Sequence, residues 1–274
     1  MATMHGMSQA LLPAWANVPK PIIGMVHLPP LPGAPRCGGE IDCAVAGALR
    51  DAEALVAGGV HGLLVENFGD APYCAGRVPA HVIACMARVA FEIRRRFDLP
   101  LGINVLRNDG CGALAVAHAS GAQFIRVNVL CGARVTDQGI IQGVAHELLR
   151  ERRFLGATHI RILGDVAVKH SSALGPQRPL STEVSELIHR GGADAVVVTG
   201  DATGQPADPA QIEAAKAAAG PVPVFVGSGL TPACAPICLQ HADGAIVGTW
   251  FKRDGVTTNP VDPQRVRALL RALA

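Results

Sequence analysis

Short apolar runs alternate with longer amphipathic stretches along nearly the whole chain, a pattern that predicts strands followed by helices. The apolar runs Ile22–His27, Gly62–Glu66, Leu101–Asn104, Phe124–Asn128, His159–Asp165, Ala195–Thr199, Val224–Gly227 and Ala245–Gly248 are the predicted strands. Between them, stretches rich in Ala, Leu, Glu and Arg predict helices over Asp42–Ala57, Pro79–Phe97, Gly112–Ser120, Gln138–Phe154, Thr182–Arg190, Pro209–Ala219, Pro232–Gln240 and Pro263–Leu273. Glycines close several of these helices, at Gly58-Gly59, Gly121, Gly156, Gly191-Gly192 and Gly220, where a left-handed cap turns the chain into the next strand. Eight strand–helix units predict an α/β fold, a single closed (β/α)8 barrel. A doubly wound sheet usually has fewer strands, and no GxGxxG follows the first strand. That connection is instead Leu28–Pro35, with four prolines in eight residues, a stiff loop suited to a rim.

A chain of 274 residues with 49% hydrophobic content can bury one large core, and no polar or low-complexity linker divides it. The expected organisation is an extension over residues 1–20 and a barrel over 21–274. A formal net charge of +2 gives no reason to expect nucleic acid, and the basic run Arg94-Arg95-Arg96 reads as complementation of a helix dipole. Met1–Pro19 lacks the pattern of a secretory signal, and no apolar run reaches membrane-spanning length. The eight cysteines form no CxxC pair and read as reduced thiols in a cytoplasmic protein. Cys234 and Cys238, four apart, read as packing rather than half of a zinc site. The expectation is therefore no cofactor and no resident metal. A homo-oligomer is compatible with such a barrel.

Val224–Thr231 carries the first chemical signal: a buried-strand pattern runs into Gly227-Ser228-Gly229 with an apolar helix beyond, and Gly244–Thr249 repeats an apolar strand ending in glycine. Two such strand ends, last in the chain, are where a (β/α)8 barrel holds phosphate, so Gly227, Ser228, Gly229, Gly248 and Thr249 are candidate phosphate ligands with Lys252 as a point-charge partner. A plain glycine-bearing turn is the bland alternative. Strand alternation supplies the other candidates. The apolar parity of each strand must face the helices, which turns Arg126 and Asn128, Asp165, His27, Glu66 and Asn104 toward the lumen. Lys169 shares the parity of Asp165 only if the chain stays extended beyond it. Glu66 and Asp165 are candidate proton-transfer groups, aided by His27 and Lys169, and a desolvated Lys169 is also a candidate Schiff-base former. Asn104, Arg126, Asn128, Arg107, Asp109 and Thr199 are candidate substrate contacts. Arg107-Asn108-Asp109 reads equally as a capped turn, Asp165 with Lys169 as a structural ion pair, and Thr199-Gly200 with Thr203-Gly204 as simple turns.

The stretches Gly24-Met25-Val26-His27-Leu28-Pro29-Pro30-Leu31-Pro32-Gly33, Val65-Glu66-Asn67-Phe68-Gly69-Asp70-Ala71-Pro72, Gly102–Asp109, Arg126-Val127-Asn128, Asp165–His170 and Val226–Gly229 together resemble the BtpA family, over about Pro21 to Leu273. That resemblance implies a TIM barrel of the ribulose-phosphate-binding kind. It implies no uniform reaction, since the family's namesake is linked to photosystem assembly while other members occur with sugar-metabolism genes. The resulting expectation is an acid–base barrel enzyme acting on a small phosphorylated or sugar-like anionic substrate, of phosphoribosyl or nucleoside type, as an isomerase, lyase or glycosyl-bond-cleaving enzyme. Two alternatives stand beside it: a non-catalytic assembly or stability factor, and a metal-dependent hydrolase using Glu66, Asp165, His27 and His170.

Overall fold

The computed structural model describes residues 10–176, 178–200 and 204–273; Thr203 and the first nine residues of the extension lie outside the described residues. Ile22–His27 (β1) is apolar until its last position, and a run apolar on both faces must be covered on both. Parallel strands Gly62–Glu66 (β2), Leu101–Asn104 (β3), Phe124–Val127 (β4), Arg161–Val166 (β7), Ala195–Val198 (β9), Val224–Val226 (β10) and Gly244–Val247 (β11) close with it into a barrel of order β1-β11-β10-β9-β7-β4-β3-β2. The helices that follow them in turn are Ile41–Gly58 (α1), Ala80–Arg96 (α2), Gly110–Ser120 (α3), Ala145–Phe154 (α4), Leu180–His189 (α5), Pro209–Ala219 (α6), Ala235–His241 (α7) and Pro263–Arg271 (α8). The chain is thus a (β/α)8 barrel. Outward residues such as Val26, Val65, Ile103 and Ile125 pack on Leu55, Met86 and Leu114 of the helices, while inward Ile23, Met25, Leu64, Phe124, Leu163, Val197, Phe225 and Ile246 form a separate core within the barrel.

The N-terminal segment completes that inner core. Pro13–Trp15 forms one 3-10 turn, and the Trp15 ring stands 5.8 Å from Phe124 and 6.2 Å from Phe225. Glycines make room: Gly102 lies under the Phe124 ring, and a Cβ on Gly62 would stand 2.9 Å from the Trp15 indole. Trp15 donates its indole N–H to His61 O at 2.7 Å. Residues expected only as an extension therefore plug the barrel floor.

Two expectations are corrected. The helix expected over Gln138–Phe154 begins at Ala145, because Gly139 (φ 93°) turns Gly139–Gln142 (β6) back antiparallel on Ala133–Thr136 (β5), and Ser171–Ala173 (β8) pairs with the other edge of β5. This small sheet stands over the mouth between the β4 and β7 loops. The helix expected from Pro232 starts only at Ala235 and has seven residues.

Candidate functional site

The barrel register places four polar residues side by side at the C-terminal mouth: His27 opposite Glu66, Glu66 opposite Asn104, and Asn104 opposite Arg126. All four point inward, because the neighbouring positions on each strand are the apolar ones that meet the helices. Arg126 is 2% exposed and binds Asp165 of β7 in a bidentate pair, Nε to Oδ1 at 2.8 Å and Nη2 to Oδ2 at 2.9 Å. Asn128 Nδ2 donates to the same Oδ2 at 2.9 Å. Asn104 Nδ2 donates to Arg126 O at 3.0 Å and to Asn128 Oδ1 at 3.3 Å. One half of the mouth is thus a locked network, and Asp165, a candidate proton-transfer group from the sequence, has three hydrogen bonds fixing its carboxylate. Of the three buried side-chain atoms without a partner among the described residues, two are on this row, His27 Nδ1 and Asn104 Oδ1; the third is Gln138 Oε1.

Electrostatics separate the row further. Burial raises the Glu66 carboxyl above its ordinary 4.5, against the pull of Lys169 and Arg126. Burial also drives His27 well below 6.5, and Lys252, Lys169 and Arg126 add to the drop. His27 Nε2 lies 3.7 Å from Glu66 Oε1, too far for a hydrogen bond, so the pair is a neutral imidazole beside a carboxyl and not an ion pair. The Lys169 amine is lowered from 10.5 by burial first and by Arg126 next. Lys169 does not arrive by an extended chain. Ala167 (φ 46°) and His170 (φ 55°) are left-handed, so the loop folds back over the mouth. Its backbone is held on both sides, N–H to Thr199 Oγ1 at 3.2 Å and carbonyl from Arg107 Nη2 at 2.6 Å.

The opposite wall is built from missing side chains. A Cβ on Gly227 would press on Val197, Thr199 and the Arg126 guanidinium, and one on Gly248 would stand 2.7 Å from His27 Cε1. The hollow they leave, about 30 Å³, is walled by Glu66, Arg126, Lys169, Gly204, Gly229 and Thr249 as well, enough for one or two waters. His27 and Phe68 divide it from a second cavity of about 630 Å³ under the proline loop, bounded by Tyr73, Arg50 and Thr257–Pro260.

Several expected contacts are placed elsewhere. Lys252 is 1% exposed and ion-paired with Asp51 of α1, so its charge is already neutralised. Gly227 N–H is spent on Val198 O at 2.7 Å, and Ser228 Oγ accepts from Gly200 N–H at 2.8 Å while donating to Gln205 O at 3.1 Å. Thr249 Oγ1 pairs with Thr257 Oγ1 at 3.0 Å. α7 starts well past Gly229, so its terminus does not adjoin Gly227–Gly229, and Gly248 precedes only the single 3-10 turn Thr249–Phe251. Asp109 caps α3 through Gly112 N–H at 2.7 Å and accepts Val78 N–H at 2.9 Å; it belongs to the capped turn and not to the mouth. Asn108 joins Val129 and Gln142. Phe68, 4.8 Å from the His27 ring, is a wall of the site that strand alternation does not point to. Its position two residues after Glu66 was the available signal. Asn67, between them, holds the β2 and β3 loops together by accepting Leu106 N–H at 2.7 Å.

Among the described residues no group of three His, Cys, Asp or Glu side chains is placed to share a metal ion, and no helix is long and apolar enough to cross a membrane.

Comparison with known proteins agrees with this architecture. The chain is 46% identical over 254 residues to the photosystem I biogenesis protein BtpA of Synechocystis, covering 93% of this chain and 88% of that protein. It is 47% identical over 251 residues to an uncharacterized protein of Thermococcus kodakarensis, covering 92% and 94%. Among solved structures, orotidine 5'-phosphate decarboxylase from Pyrococcus horikoshii matches with a TM-score of 0.56 at 12% identity, over 92% of this chain and 98% of that one, a likeness of fold. The BtpA family model matches residues 18–274, and with the relatives covering almost the same span, the chain belongs to the BtpA family.

Proposed function

We propose that the barrel mouth performs acid–base chemistry on a small substrate bearing a phosphate-like anion and sugar-like hydroxyls. The observation that carries this reading is a charge imbalance around a partly empty hollow. Arg126 is neutralised by Asp165 and Lys252 by Asp51, while Lys169 and Arg107 have no carboxylate within salt-bridge distance among the described residues. An anion approaching the mouth meets the Arg107 guanidinium and the Lys169 amine, which no carboxylate among the described residues pairs. Glu66 moves the proton, because its carboxyl lies on the hollow and burial raises it above its ordinary 4.5, easing proton uptake. His27 Nδ1 and Asn104 Oδ1 take substrate hydroxyls. Asp165 and Asn128 keep the Arg126 guanidinium oriented, and Thr199 fixes the Lys169 backbone. The backbone of Ser228, Gly229, Gly248 and Thr249 cradles the anionic group, Gly227, its own N–H bonded to Val198 O, supplies the room beside it, and the larger cavity beyond Phe68 receives the rest of the molecule. Isomerase, lyase and glycosyl-bond-cleaving reactions all use this set.

The test is titration calorimetry of inorganic phosphate, ribulose 5-phosphate and ribose against wild type, Lys169→Met and Glu66→Gln. Phosphorylated ligands bind the wild type and lose affinity in Lys169→Met, while Glu66→Gln still binds. Equal affinity of wild type and Lys169→Met contradicts the reading.

A second reading, an assembly factor, draws on the name of the Synechocystis relative and on the cross-strand pair Val135 and Ile140, exposed on the small sheet. It requires Ile140→Lys to abolish partner capture and Glu66→Gln to leave it intact.

A further inference from the structure

The chain contains four lysines: Lys20, Lys169, Lys216 and Lys252. Three have their amines engaged. Lys20 Nζ donates to Ala242 O at 2.5 Å, Lys216 pairs with Asp243 at 2.8 Å, and Lys252 pairs with Asp51. Lys169 Nζ makes no hydrogen bond or ion pair within the described residues, although it lines the same hollow as Glu66 and Arg126. Its backbone is the opposite case, clamped between Thr199 Oγ1 and Arg107 Nη2 and flanked within two residues by left-handed Ala167 and His170. Non-glycine residues seldom adopt that region, so the surroundings fix this backbone while leaving the amine without a partner among the described residues. A structural lysine is the reverse: paired at its tip.

We infer that Lys169 is a nucleophile that forms a Schiff base with the carbonyl carbon of an anionic aldehyde or ketone, such as a ketose phosphate or a 2-keto acid. The inference rests on the anion-binding reading of the mouth and names the substrate class. The neutral amine adds to the carbonyl carbon, whose π pair moves to oxygen, and the oxygen takes the proton that the attacking nitrogen gives up. The carbinolamine C–O bond then breaks, the oxygen takes a second proton and leaves as water, and the nitrogen lone pair closes the C=N bond. The balance is R–NH2 + O=CR'2 + H+ giving R–NH+=CR'2 + H2O. No oxidant or reductant is consumed. The iminium draws electrons from the adjacent C–H or C–C bond, and the Glu66 carboxylate on the same hollow receives the α-proton, leaving an enamine. Low dielectric favours the neutral amine that the first step requires.

The test uses the full chain. Wild type is incubated separately with dihydroxyacetone phosphate and pyruvate, reduced with sodium borohydride, digested and mapped by mass spectrometry; glycerol 3-phosphate, which has the anion but no carbonyl, is the control. The expected result is a reduced adduct confined to the peptide containing Lys169, absent with glycerol 3-phosphate and lost in Lys169→Arg, whose fold is checked by circular dichroism. Label spread over Lys20, Lys216 and Lys252, or none on Lys169 with either carbonyl compound, overturns the inference. Calorimetry separates the two levels. If glycerol 3-phosphate binds but no adduct forms, the anion site stands and the Schiff base falls; if none of the three compounds binds, both fall.

Discussion

The two ends of this barrel are made from the same eight strands and solve opposite problems. At the floor, Trp15, Phe124 and Phe225 fill the lumen, with Gly62 and Gly102 vacating the space the rings need. At the mouth, residues two positions further along the same chain segments are polar or glycine: Glu66 follows Leu64, Arg126 follows Phe124, and Gly227 follows Phe225. There glycine leaves a hollow instead of a seat for a ring. One end is packed for stability, whereas the other buries a carboxyl, an imidazole and an amine whose charged forms are all disfavoured. Such groups cost stability unless they are paired, as Arg126 is with Asp165.

That contrast can be broken from either end. Trp15→Ala removes the plug and lowers unfolding free energy by about 3–5 kcal/mol in denaturant titrations, with phosphate affinity unchanged in the surviving folded fraction. Arg126→Met leaves Asp165 buried without its counter-charge and costs a comparable ~3–5 kcal/mol, but it also abolishes ligand binding. A Trp15 variant that loses binding would mean that the ends are not independent. Ser228→Ala strips the tie between the β9 and β10 loops, leaving the Gly200 N–H unpaired, for about 1–3 kcal/mol measured in the same way. The smallest effect is a pH slope. The unfolded chain binds a proton at His27 near 6.5 and the folded chain does not, so stability present above pH 6.5 is lost as pH falls below it. The loss is at most about 1.4 kcal/mol per pH unit for one proton, and His27→Gln removes that component.

The strand positions and the inward parity of His27, Glu66, Asn104 and Arg126 were legible because apolar alternation leaves polar residues only one direction to point. The partnership of Arg126 with Asp165 was not, since it depends on register between strands 39 residues apart in sequence. Nor was the clamp on Lys169, because a left-handed Ala167 leaves no compositional trace. The helix expected from Gln138 failed where Gly139 permits a tight antiparallel turn and the β5 edge supplies the hydrogen bonds. Lys252 looked like a phosphate partner because it follows the last glycine turn, and only the packing of α1 reveals Asp51 beneath it. Trp15 carried little local signal, because the glycine seats that receive it are on strands far along the chain.

The most direct measurement is the stability of Glu66→Gln against wild type as a function of pH. Glu66 is the buried carboxyl that the mouth holds above its ordinary 4.5. Between pH 4.5 and its folded value the unfolded chain releases the proton while the folded chain keeps it, so wild-type stability falls as pH rises through that window and then levels off. Gln has no proton to lose. The variant should therefore gain on wild type from pH 4.5 through that window and hold the gain above it, showing a carboxyl kept at a cost in stability. A variant that instead falls further behind as pH rises would identify Glu66 as a stabilising ionic group of the barrel wall and contradict its role in proton transfer.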